Sequence, residues 1–138
     1  MGRILSIDYG LKRTGIAVTD PGRIIATPLE TVSTSELITF LKKYTTAEIV
    51  DEFVVGIPKT LKNEDSSIAP QVRMFVAELE KTFPEKKIHL ADERFTSAIA
   101  QRALIAGGMK KKDRQIKGNI DKVSATIILQ DFMSARKF

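Results

Sequence analysis

The chain has 138 residues, enough for one compact domain with a sizeable core and too few for two ordinary ones. Its 43% hydrophobic and 28% charged residues fit a globular fold and exclude a disordered or collagenous one. No cysteine and a single histidine, His89, exclude disulfides, thiolate metal sites, thiol catalysis and any site needing two imidazoles. Chemistry must therefore come from carboxylates, hydroxyls and cations. No apolar run approaches the roughly 18–20 residues of a membrane helix. Met1-Gly2-Arg3 leads straight toward Ser6 and Asp8, unlike a secretory leader, so a single domain over residues 1–138 without a membrane partner is expected.

The first third reads as strands. From Arg3 to Tyr9 the residues alternate, with Leu5, Ile7 and Tyr9 on one face and Ile4, Ser6 and Asp8 on the other. Gly10 to Arg13 forms a turn, and Thr14 to Thr19 a second strand. Asp20-Pro21-Gly22 is a turn signal ahead of a third strand starting near Arg23. Two short connections in succession predict an antiparallel meander.

From Ser33 the period becomes helical. Ser33 and Glu36 have the spacing of a capping box, and Leu37, Ile38, Leu41 and Tyr44 form an apolar stripe. Phe53-Val54-Val55-Gly56-Ile57 is apolar enough to be a strand covered on both faces. Ile68, Val72, Phe75, Val76, Leu79 and Phe83 mark a second helix that stops before Pro84. Ile88 to Ala91 is a fifth strand. Thr96 caps a third helix reaching about Ala106, ended by Gly107-Gly108, and Ile120, Val123, Ile127, Ile128 and Phe132 define a last helix opened by Asp121. The order predicts an α/β fold, a mixed five-stranded sheet with helices on both faces.

Charge is unevenly placed. Lys110, Lys111, Lys112, Arg114 and Lys117 stand against Asp113 alone between Gly107 and Asn119, whereas the rest of the chain is near neutral. Such a segment is either a solvated loop or a grip for a polyanion, most simply nucleic acid.

Three acidic positions are candidates for chemistry. Asp8 closes a strand, where an ionised carboxylate is costly unless paired or metal-bound; Lys12 and Arg13 just after it could hold a phosphate. The alternative is a strand-end aspartate bonded to its own backbone. Asp92-Glu93-Arg94 follows the fifth strand, at the end where α/β sheets bind ligands, or else is a helix-start acidic cluster. Alternation groups Asp92 with Ile88 and Leu90, and Glu93 with His89 and Ala91, so only one of the two acids faces a shared site. Asp121 lies on the stripe of Ala125, Ile128 and Phe132 and leans toward the sheet, or else is another helix-start acid. His89 reads as structural.

These residues carry a resemblance. Ile7-Asp8-Tyr9-Gly10-Leu11-Lys12-Arg13-Thr14-Gly15-Ile16-Ala17 resembles the opening motif of the YqgF family, pre-16S rRNA nucleases related to Holliday junction resolvases. Val54-Val55-Gly56-Ile57-Pro58 is similar to that family's second motif, Asp92-Glu93-Arg94-Phe95-Thr96-Ser97 to its third, and Asp121 through Gln130 to its C-terminal helix motif. Asn63-Glu64-Asp65, where family members often carry a glycine, and Ser124, where a small apolar residue is usual, depart from the pattern.

The resemblance implies a ribonuclease H-like fold, a cytoplasmic location and maturation of the 5′ end of small-subunit ribosomal RNA, in contact with the ribosomal precursor particle. It places the acidic site on Asp8, Glu93 and Asp121, with Asp92 as the alternate. Three converging carboxylates raise one another's pKa, and hard divalent ions, Mg²⁺ or Mn²⁺, relieve that repulsion. The cations Lys12, Arg13, Arg94, Lys110, Lys111, Lys112, Arg114 and Lys117 then hold the nucleic acid, with the chain a monomer or homodimer. The rival readings are a resolvase acting on branched DNA and a non-catalytic RNA-binding assembly factor. An ATPase of the sugar-kinase and actin type needs two copies of the fold, and this length holds one.

Overall fold

The computed structural model describes residues 2–57, 69–92 and 117–136, with the backbone alone at positions 57, 92, 117–121 and 135–136. Strands β1 (Arg3–Asp8), β2 (Arg13–Thr19) and β3 (Ala26–Ser33) form the expected meander. Helix α1 (Leu37–Ala47), strand β4 (Val50–Ile57), helix α2 (Ala69–Thr82) and strand β5 (Lys87–Asp92) follow, and helix α3 (Lys117–Arg136) comes last among the described residues.

The sheet order is β3-β2-β1-β4-β5. β1 pairs antiparallel with β2, as β2 does with β3, while β4 runs parallel to β1 and β5 parallel to β4. Short turns can join only the antiparallel strands, and the parallel ones need helical crossovers, which the chain order supplies. Pro28, which cannot donate to a ladder, sits on the edge strand β3.

Period-two alternation in the strands builds two cores, one on each face. On one face Leu5, Ile7, Phe53 and Val55 meet Leu37 and Leu41 of α1 and Val72 and Leu79 of α2. On the other, Ile4, Ala17 and Val54 meet Ala125, Ile128 and Leu129 of α3. Each valine, leucine, isoleucine or phenylalanine among them taken from water contributes roughly 1.5–3 kcal/mol, which is why the helices clamp the sheet from both sides.

Four boundaries differ from the sequence reading. The third strand begins at Ala26 rather than Arg23, because the chain wraps around a carboxylate: Asp20 Oδ1 accepts the N–H groups of Ile24 at 2.7 Å and Ile25 at 2.8 Å. Arg23 takes a left-handed φ of 58° within that wrap.

The Ser33–Glu36 capping box does not form. A 3₁₀ turn over Thr34–Glu36 precedes α1, and Ser33 makes no side-chain cap bond. The last helix starts at Lys117, so Asp121 lies one turn inside it and is not a helix-start acid. Asp92 is the final residue of β5 rather than the first beyond it. The expected helix from Thr96 to Ala106, Gly107-Gly108, the Asn63-Glu64-Asp65 stretch and most of the cationic segment lie outside the described residues.

Candidate active site

The parallel strands β1, β4 and β5 end at one edge of the sheet, and Asp8 is the last residue of β1. It is half-buried and shares the face of Ile4 and Ser6, the side covered by α3. Its partner across β2 is Gly15, and Gly56 lies one step beyond the Ile7–Val55 pair. Two residues without side chains thus flank this position on the sheet.

Helix α3 packs against the face of β1 that carries Ile4 and Ser6. The Ser6 hydroxyl donates to the Ala125 carbonyl at 2.6 Å, and Ile4 packs with Ile128 and Leu129. From Ser6 to Asp8 the strand advances about 6.6 Å. From Ala125 back to Asp121 the helix advances about 6 Å. Asp8 and Asp121 thus each lie within about 7 Å, along their own element, of the Ser6–Ala125 bond.

On β5, His89 and Ala91 face α3: the His89 ring lies 4.8 Å from that of Phe132, and Ala91 packs against the α3 core. Ile88 faces the opposite core. Asp92, the last residue of β5, is in backbone register with Ile57. Glu93 and Arg94 lie outside the described residues, as do Lys110, Lys111, Lys112 and Arg114; Lys117 is the first residue of α3, one turn before Asp121. Among the described residues no three acidic or histidine side chains form a group able to hold a metal ion.

The turn between β1 and β2 is tied down by Thr34. Its hydroxyl donates to the Gly10 carbonyl at 2.6 Å and lies 2.9 Å from the Thr14 hydroxyl, and its N–H donates to the Lys12 carbonyl at 3.0 Å. Gly10 is required there, since a Cβ would collide with the Arg13 carbonyl. The turn carries Lys12 and Arg13, both exposed.

With this geometry in hand, comparison with known proteins decides the family. The model of the RuvX family, described as Holliday junction resolvase, matches residues 2–135. The chain belongs to that family. It is 50% identical over 137 residues to a protein of Amoebophilus asiaticus, covering 99% of this chain and 97% of the relative. It is 47% identical over 138 residues to one of Bacteroides thetaiotaomicron, covering 100% of both. Both relatives carry the name pre-16S rRNA nuclease. Among solved structures, Thermus thermophilus RuvC in complex with a Holliday junction superposes with a TM-score of 0.60 at 15% identity, covering 97% of this chain and 95% of that one. That likeness shows the ribonuclease H-like fold that the motifs implied.

One polar cluster of this RuvX chain was not anticipated from its sequence. Glu52 is 4% exposed, accepts from Arg23 Nη1 at 2.8 Å and holds His89 Nε2 at 2.8 Å. Arg23 also donates to the Gly2 carbonyl and to Asp51. Glu52 is in register with Ile4 and Lys87, at the starting ends of the strands and so opposite Asp8. The cluster ties β4 to the β2–β3 turn and to β5, and it accounts for His89 as a structural residue. The available signal was Glu52 itself, an acid in a strand covered on both faces, which requires a partner. Among the described residues, no helix is long and apolar enough to cross a membrane.

Proposed function

We propose that this chain is a metal-dependent endonuclease that hydrolyses phosphodiester bonds at the 5′ end of pre-16S ribosomal RNA, in the cytoplasm and on the ribosomal precursor particle. What supports the reading is the Ser6–Ala125 bond, which joins β1 two residues before Asp8 to α3 one turn after position 121. The relatives' names support RNA as substrate.

The donor set fits a hard divalent cation, Mg²⁺ or Mn²⁺, because it offers carboxylate oxygens and no sulfur. Asp8, Glu93 and Asp121 would hold it. When bound, such a cation supplies Lewis-acid charge and lowers the pKa of water for attack on phosphorus. The protein's own part is orientation. Thr34 fixes the turn that presents Lys12 and Arg13, whose cations seat the phosphate next to Asp8, while the sheet and α3 hold the aspartate backbones at fixed separation. Arg94, Lys110, Lys111, Lys112, Arg114 and Lys117 extend the grip along the strand.

A second reading, cleavage of branched DNA, is favoured by the family description and by the likeness to RuvC. Cleavage of a precursor rRNA fragment, duplex DNA and a four-way junction, each with Mg²⁺ and with wild type beside Asp8→Asn, tests both. Metal-dependent cutting of the rRNA at its 5′ site, lost in Asp8→Asn, is expected. Cutting of the junction alone selects the second reading, and cutting that survives Asp8→Asn ends the metal-site assignment.

A further inference from the structure

The end of β1 serves two faces. Asp8 shares the α3 side with Ser6, and the next residue, Tyr9, packs toward α1 and α2. There Tyr9 lines a cavity of about 450 Å³, within the roughly 300–1,000 Å³ of ordinary small-molecule sites. Leu37 and Phe75, both buried, form its floor, and Ser35, Met74 and Glu78, all exposed, form its rim. Phe75 stacks on Tyr9 with ring centroids 5.1 Å apart at 29°, so the tyrosine ring is already oriented.

The lining decides what can enter. Among the described residues it includes no cation and one carboxylate, Glu78, so a phosphate is disfavoured. The cations stand outside, at Lys12 and Arg13 on the adjoining turn. An aromatic wall, an apolar floor and a polar rim beside a basic turn suit a base turned inward with its phosphates left outside. Single-stranded RNA is recognised in this way, by stacking on aromatic rings and by bonds to base edges. Glu78 as an acceptor selects a base that presents an exocyclic amino group, as cytosine does at N4.

We propose that this cavity takes one unstacked, amino-bearing nucleobase of the substrate strand, next to the phosphate seated at Asp8. The proposal rests on the nucleic-acid reading above and adds to it a base preference at one position. Recognition by Glu78 and stacking on Tyr9 then act on the strand before any bond is cut.

The test uses the full chain labelled with fluorotyrosine, whose two tyrosines, Tyr9 and Tyr44, give two ¹⁹F signals assigned through Tyr44→Phe. Six-nucleotide cytidine and uridine RNAs are titrated without divalent cation. They carry equal phosphate charge, so their difference reports the base. The cytidine RNA is expected to shift the Tyr9 signal, leave Tyr44 in place and bind several-fold more tightly than the uridine RNA. Glu78→Gln should erase that preference, and Tyr9→Leu should weaken the cytidine RNA about ten-fold, the scale of one lost stacking contact. Equal affinities, or a Tyr9 signal unmoved at saturation, overturn the proposal. A chain that shifts Tyr9 but cuts no RNA keeps this inference and loses the nuclease reading; one that cuts precursor rRNA with Tyr9 unmoved loses this inference alone.

Discussion

The Ser6 hydroxyl donates to the Ala125 carbonyl at 2.6 Å across 119 residues of sequence, and this bond sets the register between β1 and α3. Asp8 is two residues beyond Ser6 and Asp121 is one helical turn before Ala125, so the pin joins the two elements close to both aspartate positions. Ser6→Ala removes one buried bond, worth about 0.5–1.5 kcal/mol net, because the Ala125 carbonyl keeps its place in the helix. Melting should fall by only a few degrees. Cleavage measured well below the melting range should drop further than that loss explains; unchanged turnover would show that the pin serves stability alone.

Asp8→Asn keeps the size of the side chain and removes its charge. Metal-dependent cleavage should disappear, with the fold retained by circular dichroism. Binding to the native state also stabilises it, by about 2.7 kcal/mol at a hundred-fold excess over Kd, so Mg²⁺ or Mn²⁺ should raise the melting temperature of wild type. That rise should be lost in Asp8→Asn. An equal rise in both proteins would place the cation elsewhere.

The parity of β5 separates the neighbouring acids. Ile88 packs on the α1–α2 core while His89 and Ala91 pack toward α3. The sequence alternation groups Asp92 with Ile88 and Glu93 with His89 and Ala91, which makes Glu93 the expected ligand. Glu93→Gln should therefore cost at least 100-fold in turnover, on the order of losing one group that acts in the transition state, and Asp92→Asn far less. A larger loss for Asp92→Asn would reverse the assignment.

The fold was readable wherever local periodicity decided it. Residues 4, 6 and 8 and residues 5, 7 and 9 divide between the two cores as their alternation predicts, and the apolar run Phe53 to Val55 lies between helices. What stayed hidden were choices made by distant partners. Ser33 has the chemistry of a cap, but Thr34, bonded to Gly10, holds the chain in a 3₁₀ turn first. Lys117-Gly118-Asn119 carries no apolar stripe and includes a poor helix former; yet α3 extends back through it, since propagation from a packed helix is far cheaper than nucleation. Of the site, Asp8 was legible as a strand-end carboxylate. The Ser6–Ala125 pin that joins its strand to the helix of Asp121 was not, because a serine in a strand gives no sign of which carbonyl it will meet.

Acid sensitivity has a local source at Asp20. The N–H of Ile25 and then that of Ile24 bond its carboxylate and hold its pKa below the ordinary 3.8. A pKa depressed in the folded state gives stability that is fully present above the unfolded value and is lost as pH falls through the folded one. Asp20→Asn retains an oxygen acceptor but no titrating charge. Its melting temperature should run parallel to wild type from about pH 5 to 7 and converge with it below about pH 4. A constant offset down to pH 2 would remove Asp20 from the acid response.

The cationic segment offers the last test, because a polyanion grip and a solvated loop differ in salt dependence. Each phosphate contact that a cation makes contributes about 0.7 to the slope of log affinity against log salt for a single strand and about 0.9 for a duplex. If Lys110, Lys111 and Lys112 all touch phosphates, replacing the three with alanine should flatten the slope by roughly 2–3 units. These residues are charged and stand apart in sequence from the apolar positions of both cores, so melting should shift by no more than about 0.5 kcal/mol in equivalent stability. A merely solvated loop predicts parallel slopes and an affinity lowered only by the smaller net charge. Titrating wild type and the triple variant with an rRNA fragment and with duplex DNA at several salt concentrations separates the two. A slope change near 2 on the single-stranded target and near 3 on the duplex fits three phosphate contacts, and parallel lines on both would remove these lysines from the interface.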